Sequence, residues 1–251
     1  LIGKSQFEEA LLVIEQAEQL AIAAFGRESA AFGTCRHNHA RTFQTGGKLK
    51  EAESLYLEVL DIRAKVLGKM NADYATSLSN LGGMYATKGD YAKAEPLFTE
   101  VVEIRAQTLG KENPDYLSSL GALALIYVMN GDYDQGEPLL AEVVEISART
   151  LGKENAVYLN NLDYLAKIYS EKGDFAKAEP LYIESSTIKA KVFGEQHTVY
   201  IGSLINLAIL YASLKDDYSL SEQLYLKAIG LYRKEPMKKD LNYMTCLTNL
   251  G

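Results

Sequence analysis

The chain has 251 residues, of which 47% are hydrophobic, and a formal net charge of −7. This acidic balance argues against a nucleic-acid partner or an anionic membrane surface, because both require clustered Lys and Arg. No apolar run approaches the roughly 20 residues that a bilayer span requires, and the N-terminus lacks a signal-peptide pattern, so we expect a cytoplasmic protein.

A period of 42 residues runs through most of the chain. It separates the tyrosines Tyr74, Tyr116, Tyr158 and Tyr200 and the glycines Gly26, Gly68, Gly110, Gly152 and Gly194. A fixed period of this size indicates a stack of small units, none of which can bury its apolar face alone. We therefore predict a single α-solenoid over residues 1–251.

The segment 74–109 illustrates one unit. Its first helix carries an apolar stripe of Leu78, Leu81, Met84 and Tyr85. Gly89 should end this helix, and Asp90 should cap the start of the second, which runs to Gly110. The unit is thus predicted to be an antiparallel helical hairpin. Pro96, Pro138 and Pro180 fall early in the second helices, where we expect a local bend on the outer face.

The hairpin repeats along the chain with the boundaries 1–26 (partial), 32–67, 74–109, 116–151, 158–193, 200–233 and 243–251 (partial). Neither terminal segment resembles a polar capping repeat, so we expect a fragment of a longer array. Cys35 and Cys246 lie almost five repeats apart, which argues against an intrachain disulfide and favours a reducing compartment.

The motif Leu78-x2-Leu81-Gly82-x2-Tyr85, followed by Ala94, Phe98 and Val101, resembles the tetratricopeptide repeat (TPR). The 42-residue period and the linker Leu109–Tyr116 are similar to the kinesin-light-chain type of this repeat. Two positions depart from the pattern: Leu78 replaces the usual first aromatic residue, and Ala106 replaces the usual terminal proline. The resemblance implies a right-handed superhelix that acts as a non-enzymatic protein–protein interaction scaffold.

The resemblance also implies that the first helix of each repeat lines a concave groove, where asparagines hold the backbone of a bound peptide. The corresponding positions here include Asn38, Asn80, Asn206 and Asn249. An amide can pair with both the N–H and the C=O of a peptide. Alternatively, these amides bond neighbouring helices and stabilise the stack.

Other residues on the same face complete the predicted site: Arg41, Thr76, Leu125, Asn160, Tyr164, Lys167 and Ile209. We expect Leu125, Tyr164 and Ile209 to seat apolar or aromatic anchors of an extended peptide. The alternative is that Leu125 and Ile209 belong to the ordinary core between repeats.

Arg36 and His39 occupy positions that are leucine in the other units. Because an unpaired buried charge is costly, this helix should be exposed there or meet a partner. The sequence offers no second Cys/His cluster for a metal, no phosphate loop and no nucleophile–base pair, so we expect no cofactor and no catalysis.

The expected partner is a protein or a peptide. One alternative is that the array is the regulatory or substrate-recruiting part of a larger enzyme, such as a CHAT-type caspase-like protease, with an intramolecular partner. Another is self-association through the uncapped ends.

Overall fold

The computed structural model describes residues 4–213, residues 218–234 and the single position 248. Within them the chain forms eleven α-helices: Lys4–Phe25 (α1), Ala30–Thr45 (α2), Leu49–Val66 (α3), Ala72–Thr87 (α4), Tyr91–Leu109 (α5), Pro114–Asn130 (α6), Tyr133–Thr150 (α7), Ala156–Glu171 (α8), Phe175–Phe193 (α9), Thr198–Ser213 (α10) and Tyr218–Lys234 (α11). The all-helical prediction is confirmed. Within each of the two compact units described below, short connections pair successive helices as antiparallel neighbours.

The helices alternate between two types, which follow the two halves of the sequence repeat. We call α2, α4, α6, α8 and α10 the A helices and α3, α5, α7, α9 and α11 the B helices. The chain groups into two compact units, with α1–α6 in unit 1 (Leu1–Asn130) and α7–α11 in unit 2 (Gly131–Gly251).

In unit 1 each helix packs mainly on the next one in the chain, as the nearest-neighbour logic of a repeat array requires. The α4–α5 hairpin buries Tyr74, Ala75, Leu78, Val101 and Ile104 in one cluster. Helix α4 also comes close to α5 at Gly82. A Cβ atom added there would lie only 3.0 Å from the ring of Phe98, so the small side chain permits the contact.

Unit 2 follows the same order of contacts. Tyr158, Leu159 and Leu162 of α8 form one core cluster, against which partly buried side chains of α7 and α9 pack. A further cluster joins α10 to α11 through Tyr200, Ile201, Leu204, Ile205, Ala208, Tyr225, Ala228, Ile229, Leu231 and Tyr232. The conserved spacing of apolar residues in the sequence thus corresponds to one core layer per hairpin.

The turn inside the hairpin is set by Gly–Asp pairs, as predicted for Gly89 and Asp90. Gly89 has a φ of 76°, a left-handed conformation that favours glycine. The Asp90 side chain then accepts a hydrogen bond from the Lys93 amide at 3.3 Å and caps α5. Asp132 and Asp174 cap α7 and α9 in the same way.

Helices α5, α7 and α9 continue through Pro96, Pro138 and Pro180 without a break. All three prolines are exposed, which agrees with the expected position on the outer face. Each lies in the second turn of its helix, so it removes one early backbone hydrogen bond and leaves the rest of the helix intact.

Tyrosine hydroxyls near the ends of A helices bond to glutamates on the preceding B helix. We call these bonds the Tyr–Glu ties. They join Tyr85 to Glu53 at 2.7 Å, Tyr127 to Glu95 at 3.1 Å, Tyr169 to Glu137, and Tyr211 to Glu179 at 2.6 Å. Sequence reasoning identified these tyrosines as packing residues but missed their polar partners. The sequence does contain a signal for these bonds, because the glutamates recur with the same 42-residue step as the tyrosines. One repeat earlier both positions are apolar, since Leu11 replaces the glutamate and Phe43 replaces the tyrosine.

Candidate functional site

The structure places most of the predicted site residues on the accessible faces of A helices. Thr76 and Asn38 are exposed on α4 and α2, and so are Arg41, Asn160, Lys167 and Ile209 on their helices. Asn80, Leu125, Tyr164 and Asn206 are partly buried. Asn249 lies outside the described residues. The Thr76 hydroxyl donates to the Ala72 carbonyl at 2.8 Å, so its hydrogen is used within its own helix.

Four of the predicted residues meet around one cavity in unit 2, which we call the unit-2 pocket. It has a volume of about 300 Å³ and is lined by Asn160, Asp163, Tyr164, Lys167, Tyr182 and Asn206. Helix α8 supplies four of these side chains, α9 supplies Tyr182 and α10 supplies Asn206. The pocket thus spans two successive A helices and the B helix between them.

Polar groups of the unit-2 pocket are largely unused within the chain. Asn160, Lys167 and Asn206 have no hydrogen-bond or ion-pair partner among residues 4–213 and 218–234. Burial raises the pKa of Tyr164, and the Asp163 carboxylate adds to this effect. Its phenol therefore stays protonated at neutral pH and remains a hydrogen-bond donor.

Asp163, which lines this pocket, takes part in an ion pair. Lys189 of α9 is buried and bonds to the Asp163 carboxylate through Oδ2. The other carboxylate oxygen, Oδ1, is buried and has no hydrogen-bond partner in the described part of the chain. Desolvation raises the pKa of Tyr182, with a further contribution from the charge of Asp163, so this phenol is also neutral.

A second cavity lies between α2, α3 and α4 in unit 1, and we call it the unit-1 pocket. Its volume is about 440 Å³, and Arg41, Gln44, Thr45, Leu49, Asn80, Met84 and Thr87 line it. The exposed Arg41 has no ion-pair partner in the described region. This pocket therefore also combines one free cation with one asparagine.

The two asparagines in these pockets differ in their surroundings. The Asn80 amide nitrogen lies 3.1 Å from His37 Nε2 of the neighbouring A helix. For this residue, the alternative that the amide bonds a neighbouring helix is therefore observed. No such bond holds Asn206 within the described residues, so its amide is free to pair with a ligand.

The two predicted aliphatic anchors also differ in exposure. Ile209 of α10 is 42% exposed, which is inconsistent with a role as ordinary core. Leu125 of α6 is only partly buried, so it contributes to packing and still presents some apolar surface.

The charged residues of α2 have partners inside the chain. Arg36 Nη1 lies 3.1 Å from Glu18 of α1, and its Nη2 lies 3.0 Å from Glu58 of α3. His39 Nδ1 lies 2.9 Å from the same Glu18. The sequence predicted exposure or an external partner here. The structure shows a third arrangement, in which α1 and α3 supply the compensating carboxylates.

Sequence reasoning missed Asp163 and Tyr182 in unit 2 and His37 beside the unit-1 pocket. Asp163 and His37 occupy the same place in the repeat, which is the signal that could have found them. Each directly precedes the asparagine position of its own A helix, which is residue 38 in α2 and residue 164 in α8. Tyr182 lies on a B helix, where the repeat favours a large apolar residue, so no sequence feature distinguishes it from core.

Helices that could cross a membrane were not found in the part of the chain that the structure describes.

The alternating A and B helices define a helical repeat protein. Sequence profiles of the tetratricopeptide repeat match residues 33–73, 73–147, 121–191 and 158–234. The chain belongs to the tetratricopeptide repeat family.

Solved structures place the chain near kinesin-light-chain-like arrays. The TPR-like repeats of a kinesin-light-chain-type protein from Podospora anserina are 32% identical, with a TM-score of 0.65, over 74% of this chain and 89% of that chain. BtubC (BKLC) from P. vanneervenii has a TM-score of 0.78 at 22% identity, over 94% and 93%. YrrB, a TPR protein with an unusual peptide-binding site, has a TM-score of 0.58 at 17% identity, over 93% and 97%. The last two show a shared fold alone. No curated protein sequence is similar enough to count as a match.

Proposed function

We propose that this TPR array is a non-enzymatic scaffold that binds an extended peptide segment of a partner protein on the accessible faces of its A helices. The observation that carries the proposal is the set of unpaired polar groups around the unit-2 pocket. Asn160, Lys167 and Asn206 have no partner in the described chain, although they surround one cavity. Polar groups gathered around a concave site in this way are typical of binding sites.

Each group has a complementary partner in an extended peptide. The amides of Asn160 and Asn206 can donate to main-chain carbonyls and accept from main-chain N–H groups. The Lys167 ammonium favours a carboxylate or a carbonyl oxygen. Ile209 offers an apolar surface on the same helix as Asn206, so an aliphatic or aromatic side chain of the peptide can pack there.

The unit-1 pocket provides a second place for such a segment, because Arg41 and Asn80 combine the same two chemistries. YrrB, a TPR protein with an unusual peptide-binding site, shares this fold and supports the proposal. The fold by itself leaves the identity of the partner open.

The test is a selection of random 12-residue peptides on the chain 1–251, followed by affinity measurements by fluorescence anisotropy. We expect Asn206→Ala and Lys167→Ala each to weaken a selected peptide about three- to tenfold, because each removes about 1 kcal/mol of net hydrogen bonding. The Lys167→Ala effect should shrink at high salt.

The matched control is Lys191→Ala. Lys191 lies on the B helix α9 of the same unit, and its side chain is 77% exposed in a pair with Glu154. It should leave peptide affinity unchanged. If no peptide is selected, or if the control and the two pocket variants weaken binding equally, binding on the A-helix faces is disproved.

A further inference from the structure

We propose that His37 is a positioning residue for the unit-1 pocket: it holds one N–H of the Asn80 amide, so that Asn80 meets a bound segment in a single orientation. The proposal rests on the function proposed above, since it assigns a role to a residue beside one of the two pockets. Its evidence is a directional chain of hydrogen bonds that links three helices.

The chain of hydrogen bonds has one consistent assignment of protons. An amide nitrogen can only donate, so His37 Nε2, which lies 3.1 Å from Asn80 Nδ2, must accept. The proton of the imidazole therefore sits on Nδ1, which lies 3.1 Å from the Ser77 hydroxyl oxygen and donates to it. The Ser77 hydroxyl in turn donates to the Asp73 carbonyl at 3.3 Å.

Arg63 of α3 donates hydrogen bonds to two groups of this network. Its Nη1 donates to the Ser77 hydroxyl oxygen at 2.7 Å and to the Asp73 carbonyl at 2.5 Å. The Ser77 oxygen thus accepts two hydrogen bonds and donates one. The Asn80 amide nitrogen sets the direction of these bonds, because it can only donate. The donation from Arg63 to the Ser77 oxygen is compatible with it and leaves the hydroxyl proton for the Asp73 carbonyl.

Burial fixes this arrangement. His37 is 6% exposed, Ser77 is fully buried and Arg63 is 4% exposed. The ring of Tyr56 from α3 meets the imidazole edge-on at 5.7 Å between centroids. With little solvent to replace any lost bond, a change in one member leaves the next one unsatisfied.

The charges around the imidazole keep it neutral at pH 7. Desolvation lowers the pKa of His37 to about 4, and the cations Arg63 and Arg41 act in the same direction. The Asp73 carboxylate opposes them without reversing the shift. A neutral imidazole with its proton on Nδ1 keeps an acceptor at Nε2, which the Asn80 amide requires.

The residues equivalent to His37 and Asn80 differ from one pair of neighbouring A helices to the next. In unit 2 the positions of His37 and Asn80 are taken by Asp163 and Asn206, and both line the unit-2 pocket. Between α4 and α6 the asparagine position is Ala122, and only the small Ser79 stands at the His37 position. In the described residues the asparagine is hydrogen-bonded to this neighbour only in the pair of His37 and Asn80, whereas Asp163 and Asn206 line one pocket without a hydrogen bond between them.

The consequence for binding is preorganisation. One N–H of the Asn80 amide is committed to His37, while its carbonyl oxygen and second N–H remain for a ligand. An amide that is already fixed loses less conformational freedom when the ligand arrives. Removing the imidazole should therefore weaken binding even though His37 itself does not line the pocket.

The experiment begins with the free chain 1–251 labelled with ¹⁵N. We expect NMR spectra to show an unprotonated Nε2 and a protonated Nδ1 for His37, and a hydrogen-bond coupling from the Asn80 side-chain amide to Nε2. Titration to pH 4 should move the Asn80 amide resonances together with those of the imidazole, because protonation of Nε2 removes the acceptor.

Binding is then measured with 12-residue peptides selected on the wild-type chain and counter-selected against Asn80→Ala, so that only Asn80-dependent peptides are kept. We expect His37→Leu to weaken these peptides about three- to tenfold. His37→Gln, whose amide oxygen can reach the Nε2 position, should stay within about twofold of wild type. Both variants are compared at equal folded fraction by circular dichroism.

The outcomes separate the two proposals. If no Asn80-dependent peptide is recovered, the proposed function fails in unit 1, and the role of His37 fails with it. If such peptides are recovered but bind His37→Leu as well as wild type, the positioning role alone is overturned. It is also overturned if the free chain shows a proton on His37 Nε2 at pH 7.

Discussion

Replacement of Lys189 by methionine tests whether its buried ion pair with Asp163 is necessary for the fold. The Lys189 side chain is 5% exposed, and that of its partner Asp163 is 19% exposed. Removing one member of a buried pair costs about 3–5 kcal/mol, because the remaining charge loses its compensation. Since Asp163 keeps some contact with water, we expect a loss of about 3 kcal/mol in the free energy of unfolding.

Two further variants isolate the cause. Lys191→Met removes a lysine of the same helix whose pair is 77% and 61% exposed, so it should cost no more than about 0.5 kcal/mol. The double variant Asp163→Ile/Lys189→Met removes both charges, and isoleucine already stands at the corresponding position 205. We expect it to recover most of the lost stability, because an apolar pair often replaces a buried ion pair at little cost.

Urea unfolding followed by circular dichroism gives the overall change in stability. A repeat array can unfold in parts, so hydrogen exchange of the α8 and α9 peptides should be measured alongside it. The reasoning is refuted if Lys189→Met matches Lys191→Met within about 0.5 kcal/mol. It is also refuted if the double variant is no more stable than the single one.

Two other predictions concern unit 1. Gly82→Ala should lower the free energy of unfolding by about 1–2 kcal/mol, because the new Cβ would lie 3.0 Å from the Phe98 ring. Gly83→Ala on the same helix places its Cβ where no atom lies within 4 Å, so it should raise the free energy of unfolding by about 0.5–1 kcal/mol. Equal effects of the two variants in thermal unfolding would contradict this. Because the folded pKa of His37 lies below its ordinary value of 6.5, at about 4, the unfolded chain binds the extra proton in that window. Stability should therefore fall as pH drops from about 6.5 to 4, and His37→Leu should flatten this part of the profile in urea unfolding measured at several pH values.

The sequence was sufficient for the helices and the turns between them. The 42-residue step fixes which residues are equivalent, and the Gly89–Asp90 pair predicts both the end of one helix and the cap of the next. These features are local, since each depends on backbone preferences within a few residues. For the same reason the apolar stripe of one unit predicts that of every other.

The contacts of the candidate site were less accessible to sequence reasoning, because they depend on how one hairpin lies against the next. The bond between His37 and Asn80 joins residues 43 positions apart, and the pairing of Arg36 with Glu18 joins α2 to α1. Within the sequence of its own unit, Arg36 is a charge at a position expected to be buried, and no partner for it can be identified. Only the packing of neighbouring helices brings the partner into reach.

The Tyr–Glu ties have a consequence for the history of the array. Each tie joins an A helix to the B helix that precedes it, so a hairpin such as residues 74–109 carries the tyrosine for one junction and the glutamate for the next. As far as this bond is concerned, such hairpins are interchangeable, and duplication of a 42-residue block would recreate the tyrosine–glutamate pair at the new junction.

The junction between α1 and α2 lacks this interchangeability, since its equivalent positions are Leu11 and Phe43. A hairpin with tyrosine inserted there would place a hydroxyl opposite leucine. The tie is therefore renewed by duplication of the hairpins that follow α2, whereas the junction between α1 and α2 is restricted to its own apolar pair.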